Sequence, residues 1–153
     1  MQKNVQQRLI AAAVEARRGA VAPYSNFQVG AALLTKDGNM ITGANVESAS
    51  YGLTCCAERV ALFKALTGGE RNFTAVAVVA RLDGGAAPCG ACRQLLSEYA
   101  PRAKVWVVDV AAPGQVRTFT VAKLLPEAFG EFRQNDIQGR LRAGAPRRKA
   151  RRK

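Results

Sequence analysis

From Val5 to Arg18 the apolar residues Leu9, Ile10, Ala13 and Val14 recur at the spacing of one helix face, and Gly19 follows as a stop. The period then changes. After the turn-forming run Pro23-Tyr24-Ser25-Asn26, the residues Phe27, Val29, Ala31 and Leu33 alternate with Gln28, Gly30, Ala32 and Leu34. Asp37-Gly38 turns the chain back toward Met40 to Ala44, which predicts a β-hairpin. Cys56 to Leu66 is rich in helix formers and closes at Gly68-Gly69, whereas Phe73 to Ala80 is an unbroken apolar run, as in a strand covered on both faces. Beyond the Gly84-Gly85 loop, Cys89 to Tyr99 reads as a helix with Pro101 just past it. Lys104 to Val110 reads as a second buried strand, Val116 to Phe119 as a short one, and a last helix runs through Leu124 and Leu125. The order α-β-β-α-β-α-β-β-α predicts an α/β fold: a mixed sheet of about five strands, led by a hairpin and covered by helices on both faces, a three-layer α/β/α sandwich.

The totals change this picture in two places. At 153 residues with 48% apolar content the chain suits one globular domain, and its longest apolar run falls far short of the ~20 residues that span a bilayer. The first residues lack the long apolar region of a secretory signal, so a cytoplasmic location is expected. Thiols stay reduced there, and four cysteines that include a C-x-x-C pair point to metal or redox chemistry before disulfides. The net charge of +12 suggests nucleic acid until it is divided along the chain. Residues 133–153 hold +8 of it and the preceding 132 residues only +4. We therefore expect a folded domain over residues 1–132 and a basic, disordered tail over 133–153, whose composition cannot bury enough apolar surface to offset its ordering entropy.

Candidate chemistry gathers around Cys56-Ala57-Glu58 and Pro88-Cys89-Gly90-Ala91-Cys92 in a chain with no histidine. Without imidazole, Ser-His and Cys-His nucleophiles and the two-His zinc-protease site are excluded, and a carboxylate is left to move the proton. Cys56, Cys89 and Cys92 supply three thiolates, the number a catalytic zinc takes from a protein while keeping its fourth position for water. All three lie near predicted helix starts, where exposed N–H groups and the helix dipole favour thiolates. Three thiolates around Zn2+ leave a net negative charge, which Arg59 would offset, as would Arg93 and the Gln94 amide by donating to the sulfurs. Cys55 leaves an alternative open: it competes with Cys56 as first ligand, and with it the site closes as a structural zinc held by four cysteines.

These motifs match the zinc-deaminase signature, H-x-E or C-x-E before P-C-x-x-C. Together with Pro23-Tyr24-Ser25-Asn26-Phe27-Gln28-Val29-Gly30-Ala31-Ala32-Leu33, Asn45-Val46-Glu47, Arg59, Arg93-Gln94 and Leu124-Leu125-Pro126, they closely resemble the short, homotetrameric form of cytidine deaminase over roughly residues 5 to 130. The resemblance implies that Cys56, Cys89 and Cys92 hold Zn2+ and that Glu58 shuttles the proton. It also implies that Phe27 stacks on a pyrimidine, that Asn45 and Glu47 bond the ribose hydroxyls, and that Phe129 is lent to a neighbouring subunit's site. Cys55, Ser48 and Ala87 depart from the usual pattern of the family without removing a ligand or the shuttle, and the tail has no counterpart in it.

The implied activity is hydrolytic deamination of cytidine and deoxycytidine to uridine and deoxyuridine in pyrimidine salvage, with a small pyrimidine nucleoside as partner and a homotetramer as assembly. The runner-up within the enzyme class takes another cytosine-containing nucleoside, such as a nucleoside antibiotic. A cytosine base in RNA or DNA, with the tail as backbone anchor, is disfavoured by the weak charge of the body. A zinc-stabilised nucleic-acid-binding module is the non-enzymatic alternative. For the tail we expect at most a weak nucleic-acid contact, since a charge run is more often a solvated appendage.

Overall fold

The computed structural model describes residues 2–129 and contains the expected elements in the expected order. They are α1 (Gln2–Arg17), β1 (Val29–Thr35), β2 (Met40–Ala44), a 3-10 turn (Tyr51–Leu53), α2 (Ala57–Thr67), β3 (Phe73–Ala80), α3 (Gly90–Tyr99), β4 (Lys104–Asp109), β5 (Val116–Thr120) and α4 (Val121–Leu124). One five-stranded sheet runs β2-β1-β3-β4-β5. Only β3 and β4 pair in parallel, so the sheet is mixed, and α3 forms the crossover that a parallel pair requires.

The unbroken apolar run in β3 has its explanation in the layers. Ala75, Ala77 and Val79 face α1 with Leu9, Ile10, Ala13 and Trp106. Val76 and Val78 point the other way, into a core shared with Ala61 and Leu62 of α2, Leu96 of α3 and Val121 and Leu124 of α4. Two glycines let the helices close on the sheet. A Cβ at Gly30 would lie 2.0 Å from the Ala13 carbonyl oxygen, and one at Gly43 would lie 2.5 Å from the Ala61 nitrogen. Helix α1 therefore rests on the backbone of β1, and α2 on that of β2.

Strand β1 starts two residues later than its alternation predicts. The Asn45 side chain takes the place of ladder bonds there: its Oδ1 accepts from the Val29 N–H at 2.8 Å and its Nδ2 donates to the Phe27 carbonyl at 2.9 Å. Phe27 is thus left in the loop, after Asn26 at a φ of 55°. The last helix is a single turn capped by Thr120, whose Oγ1 accepts from the Lys123 N–H at 3.3 Å, and Leu125 lies just past it.

Register aligns one end of the sheet. Gly30 pairs with Ala44, Val29 with Ala80, and Ala80 with Asp109. The segments entering β1, leaving β2 and leaving β3 therefore meet at the carboxyl ends of the parallel pair, where open α/β sheets place their ligands. The boundary expected at residues 132/133 and the basic tail lie outside the described residues. Among the described residues no helix is long and apolar enough to cross a membrane.

Candidate active site

Two helices begin at this end of the sheet with a cysteine at the capping position. Cys56 caps α2 and Cys89 caps α3, both with extended backbones, and neither side chain makes a capping hydrogen bond to the backbone of its helix. Sulfur is a weak acceptor, so the two are free to face each other. Cys56 Sγ and Cys89 Sγ lie 3.6 Å apart, as do Cys89 Sγ and Cys92 Sγ, and all three sulfurs are within 4.8 Å of one another. Tetrahedral zinc at about 2.3 Å from each sulfur would set neighbouring sulfurs about 3.8 Å apart, so the donor set fits that ion in both type and spacing.

Cys55 lies outside this group. Its backbone pairs with Val46 in both directions, at 2.8 and 3.0 Å, and in extended chain successive side chains point to opposite sides. The arrangement thus separates the two adjacent cysteines that composition left interchangeable, and Cys56 is the one that faces Cys89.

The electrostatics of the trio are set by burial and by one cation. The Cys56 thiol is drawn down to about 5, chiefly by the nearby Cys92 thiol and further by Arg59 and Cys89, against a desolvation cost. Cys92, 1% exposed, is pushed upward, first by the neighbouring Cys56 and then by its burial. A dication held by the sulfurs would offset that penalty and ionise the thiols. Arg59 reaches Cys56 Sγ at 3.7 Å while donating to the Thr54 carbonyl at 2.8 Å; its Nε is buried without a hydrogen-bond partner.

Arg93 and Gln94 take other partners than the sulfurs. Arg93 donates through Nε to the Pro88 carbonyl at 2.7 Å and through a terminal nitrogen to the Leu124 carbonyl at 2.9 Å. Gln94 donates to Glu98 and to the Phe129 carbonyl, both at 2.9 Å. Carbonyls of a loop and of a helix end have no ladder partner, and these two side chains satisfy them. They brace the cysteine loop against the C-terminal segment instead of neutralising it.

Glu58 sits in the first turn of α2 and is 5% exposed. Burial pushes its carboxyl up to about 7, opposed by its own backbone N–H, while the neighbouring Cys56 raises it further and Arg59 lowers it. A carboxyl poised near neutrality can both take and release a proton.

Of the remaining expected residues Glu47 alone lines an open cleft, while Asn45 is buried and Phe27 and Phe129 are exposed outside it. The Val46–Cys55 pairing sets Asn45 and Glu47 beside the start of α2. Asn45 is buried and committed to the loop as described, whereas Glu47 accepts bonds from the backbone N–H groups of Tyr24 and Ser25 at 3.0 and 3.1 Å and from the Ser25 hydroxyl. Those bonds, the hydroxyl first, hold its carboxyl below its usual range. Glu47 faces an open cleft of about 340 Å³ shared with Tyr24, Ser25, Ser48, Tyr51 and Thr54. Tyr24 and Tyr51 meet edge to face across it, with ring centroids 6.3 Å apart. Phe27 and Phe129 are exposed, at 36% and 84%, and neither lines that cleft. Ser25 and Tyr51 were not singled out by sequence. A serine in a turn carries no signal for a carboxylate 22 residues away.

The comparisons with known proteins point the same way as the sulfur geometry. Residues 3–108 match the model of the cytidine and deoxycytidylate deaminase zinc-binding region. A cytidine deaminase of Halalkalibacterium halodurans is 53% identical over 131 residues, which cover 85% of this chain and 98% of that protein. One from Sporosarcina psychrophila is 47% identical over 82% of this chain and 91% of its own length. Among solved structures, the cytidine deaminase of Burkholderia pseudomallei superposes with a TM-score of 0.76 at 53% identity, covering 80% of this chain and 97% of that one. With three sulfurs spaced for zinc, a buried carboxyl beside them and these relatives along most of its length, the chain belongs to the zinc-dependent cytidine and deoxycytidylate deaminase family.

Proposed function

We propose that this protein deaminates cytidine and deoxycytidine hydrolytically to uridine and deoxyuridine, as a zinc enzyme of pyrimidine salvage. The observation that carries the reading is the meeting of three cysteine sulfurs at two helix starts with Glu58 buried in the first turn of one of them. Cys56, Cys89 and Cys92 hold the zinc, which when bound supplies Lewis acidity and brings the pKa of water toward neutrality. Arg59 tempers the thiolate charge from the side of Cys56.

Glu58 carries the proton at each stage. It takes one from the attacking water and delivers it to ring N3, which makes C4 electrophilic toward the water oxygen. At the tetrahedral C4 it then takes the proton of the new hydroxyl and passes it to the departing amine, so that the C–N bond breaks, the C4 carbonyl forms, and cytidine and water yield uridine and ammonia. Its near-neutral pKa suits this double duty, because neither protonation state is strongly disfavoured. Phe27 stacks on the pyrimidine, and Asn45 and Glu47 select the ribose. Glu47 retains an acceptor site toward the cleft, and the second Nδ2 hydrogen of Asn45 remains for a hydroxyl.

The working assembly is a homotetramer in the cytoplasm. Tyr51, on the open cleft, and Leu53, Val46 and Phe129 elsewhere on the surface are exposed large apolar groups, which supports burial against another copy. The tail adds at most a weak nucleic-acid contact. The deciding experiment incubates purified protein with cytidine, deoxycytidine and a cytosine-containing oligonucleotide and measures products and zinc on one sample. Uridine and deoxyuridine, with about one zinc per chain, are expected; turnover of the oligonucleotide alone would overturn the reading.

A further inference from the structure

The turn before β1 contains a hydrogen-bond hub that the reaction as described leaves without a role. The Ser25 hydroxyl donates to Glu47 Oε2 and accepts from the Phe27 N–H at 3.0 Å. The backbone N–H groups of Tyr24 and Ser25 both reach the other carboxylate oxygen, Oε1. One hydroxyl therefore touches both the carboxylate on the cleft and the backbone of the exposed aromatic ring. A carboxylate has about four lone-pair sites, and these bonds fill two at Oε1 and one at Oε2, so a single direction is left on Oε2. The rest of the turn is tied down around this hub: Val21 N–H donates to the Asn45 carbonyl at 2.9 Å, and Glu47 N–H donates to the Val21 carbonyl at 2.8 Å. Glu47 has no other side-chain anchor among the hydrogen bonds of the described residues, and its three χ angles would otherwise wander on a half-buried rim.

We infer that Ser25 is a positioning residue for nucleoside recognition, fixing the Glu47 carboxylate and the Phe27 backbone at one mutual spacing. The inference rests on the reading of Phe27 and Glu47 as nucleoside contacts. Ser25 touches neither zinc ligand nor Glu58 through any hydrogen bond among the described residues. Its removal therefore acts on binding and leaves the chemical step alone. A preorganised acceptor costs less ordering when substrate arrives, and a site built to bond a hydroxyl penalises the analogue that lacks one.

The test compares the zinc-loaded full chain with Ser25→Ala and Ser25→Thr, using cytidine and 2′,3′-dideoxycytidine as substrates. Ser25→Ala is expected to raise KM for cytidine about fivefold, with kcat within about twofold and zinc content unchanged, less than the full loss of a charge-assisted hydrogen bond because the Tyr24 and Ser25 N–H groups still hold Oε1. Its KM for the dideoxynucleoside is expected to rise by a clearly smaller factor, because no ribose hydroxyl is there to miss Glu47. Ser25→Thr is expected to restore KM. An equal rise for both substrates, or no rise for cytidine, would overturn the proposal, since a merely structural serine penalises both alike. Should Ser25→Ala fold poorly, Ser25→Thr and Ser25→Val, equal in size and differing in the hydroxyl, carry the same comparison. Cytidine turnover by the unaltered protein in the same assay checks the underlying reading separately.

Discussion

The cysteine half of the site and the rim proposed to hold the nucleoside are built in opposite ways. Cys56, Glu58, Cys89 and Cys92 stand on the first residues of two helices that are pinned to the sheet by a continuous core, and Glu58 and Cys92 are almost fully buried. Tyr24, Ser25, Phe27, Glu47 and Tyr51 stand on loops, largely exposed, and are held by a few hydrogen bonds. Bond-making chemistry demands fixed positions and a low dielectric, which a core provides. Recognition of a nucleoside, as proposed for the rim, tolerates an open surface.

The largest effect should come from the metal half. Glu58→Gln preserves shape and hydrogen-bonding capacity but cannot shuttle a proton, so turnover should fall about a thousandfold or more while zinc and fold are retained. Near-normal deamination by that variant would sink the assignment of Glu58. Cys89→Ala removes a proposed ligand from the capping position of α3, and bound zinc should drop well below one equivalent on metal analysis of the purified protein. A full equivalent retained would mean a different ligand set.

Support of the metal half from behind is testable through Gly43. An added methyl would sit 2.5 Å from the Ala61 nitrogen and 2.7 Å from the Ala57 carbonyl oxygen, on the helix that presents Cys56 and Glu58. Gly43→Ala should therefore cost about 2 kcal/mol in urea denaturation and lower zinc affinity with it. An unchanged midpoint would show that α2 can shift without cost.

The two halves also differed in how plainly the sequence disclosed them. Cys56, Glu58, Cys89 and Cys92 were legible because their chemistry is written in short motifs, and the elements around them because hydrophobic period marks strands and helices independently of tertiary contacts. The strand boundary at Phe27 was not legible, since it depends on Asn45 inserting its side chain where a ladder would continue. Arg93 and Gln94 were expected to face the sulfurs because they neighbour Cys92 in the chain, yet long side chains go to whichever unpaired carbonyl lies within reach, here Pro88, Leu124 and Phe129. Ser25 has the same lesson: a hub joining residues far apart in the chain leaves no local pattern.

On the rim, effects should appear in KM. Phe27→Ala removes an exposed ring whose stacking would contribute about 1–2 kcal/mol, so KM for cytidine should rise roughly tenfold with zinc content unaltered. Loss of zinc in that variant would show that the two halves are mechanically coupled after all, and the contrast between them would weaken.

The smallest effect is expected from the most highly charged region. Residues 133–153 carry +8 of the net +12, yet the substrate proposed is a neutral nucleoside, on which a basic segment exerts no steering force. Removing residues 133–153 should therefore leave kcat and KM for cytidine within about twofold at low and moderate salt. Any affinity of the full chain for RNA should meanwhile fall steeply as salt rises and disappear with the tail, because it would come from counterion release at phosphates. A large loss of cytidine turnover on truncation would place the tail, despite its charge, in the same functional class as the rim.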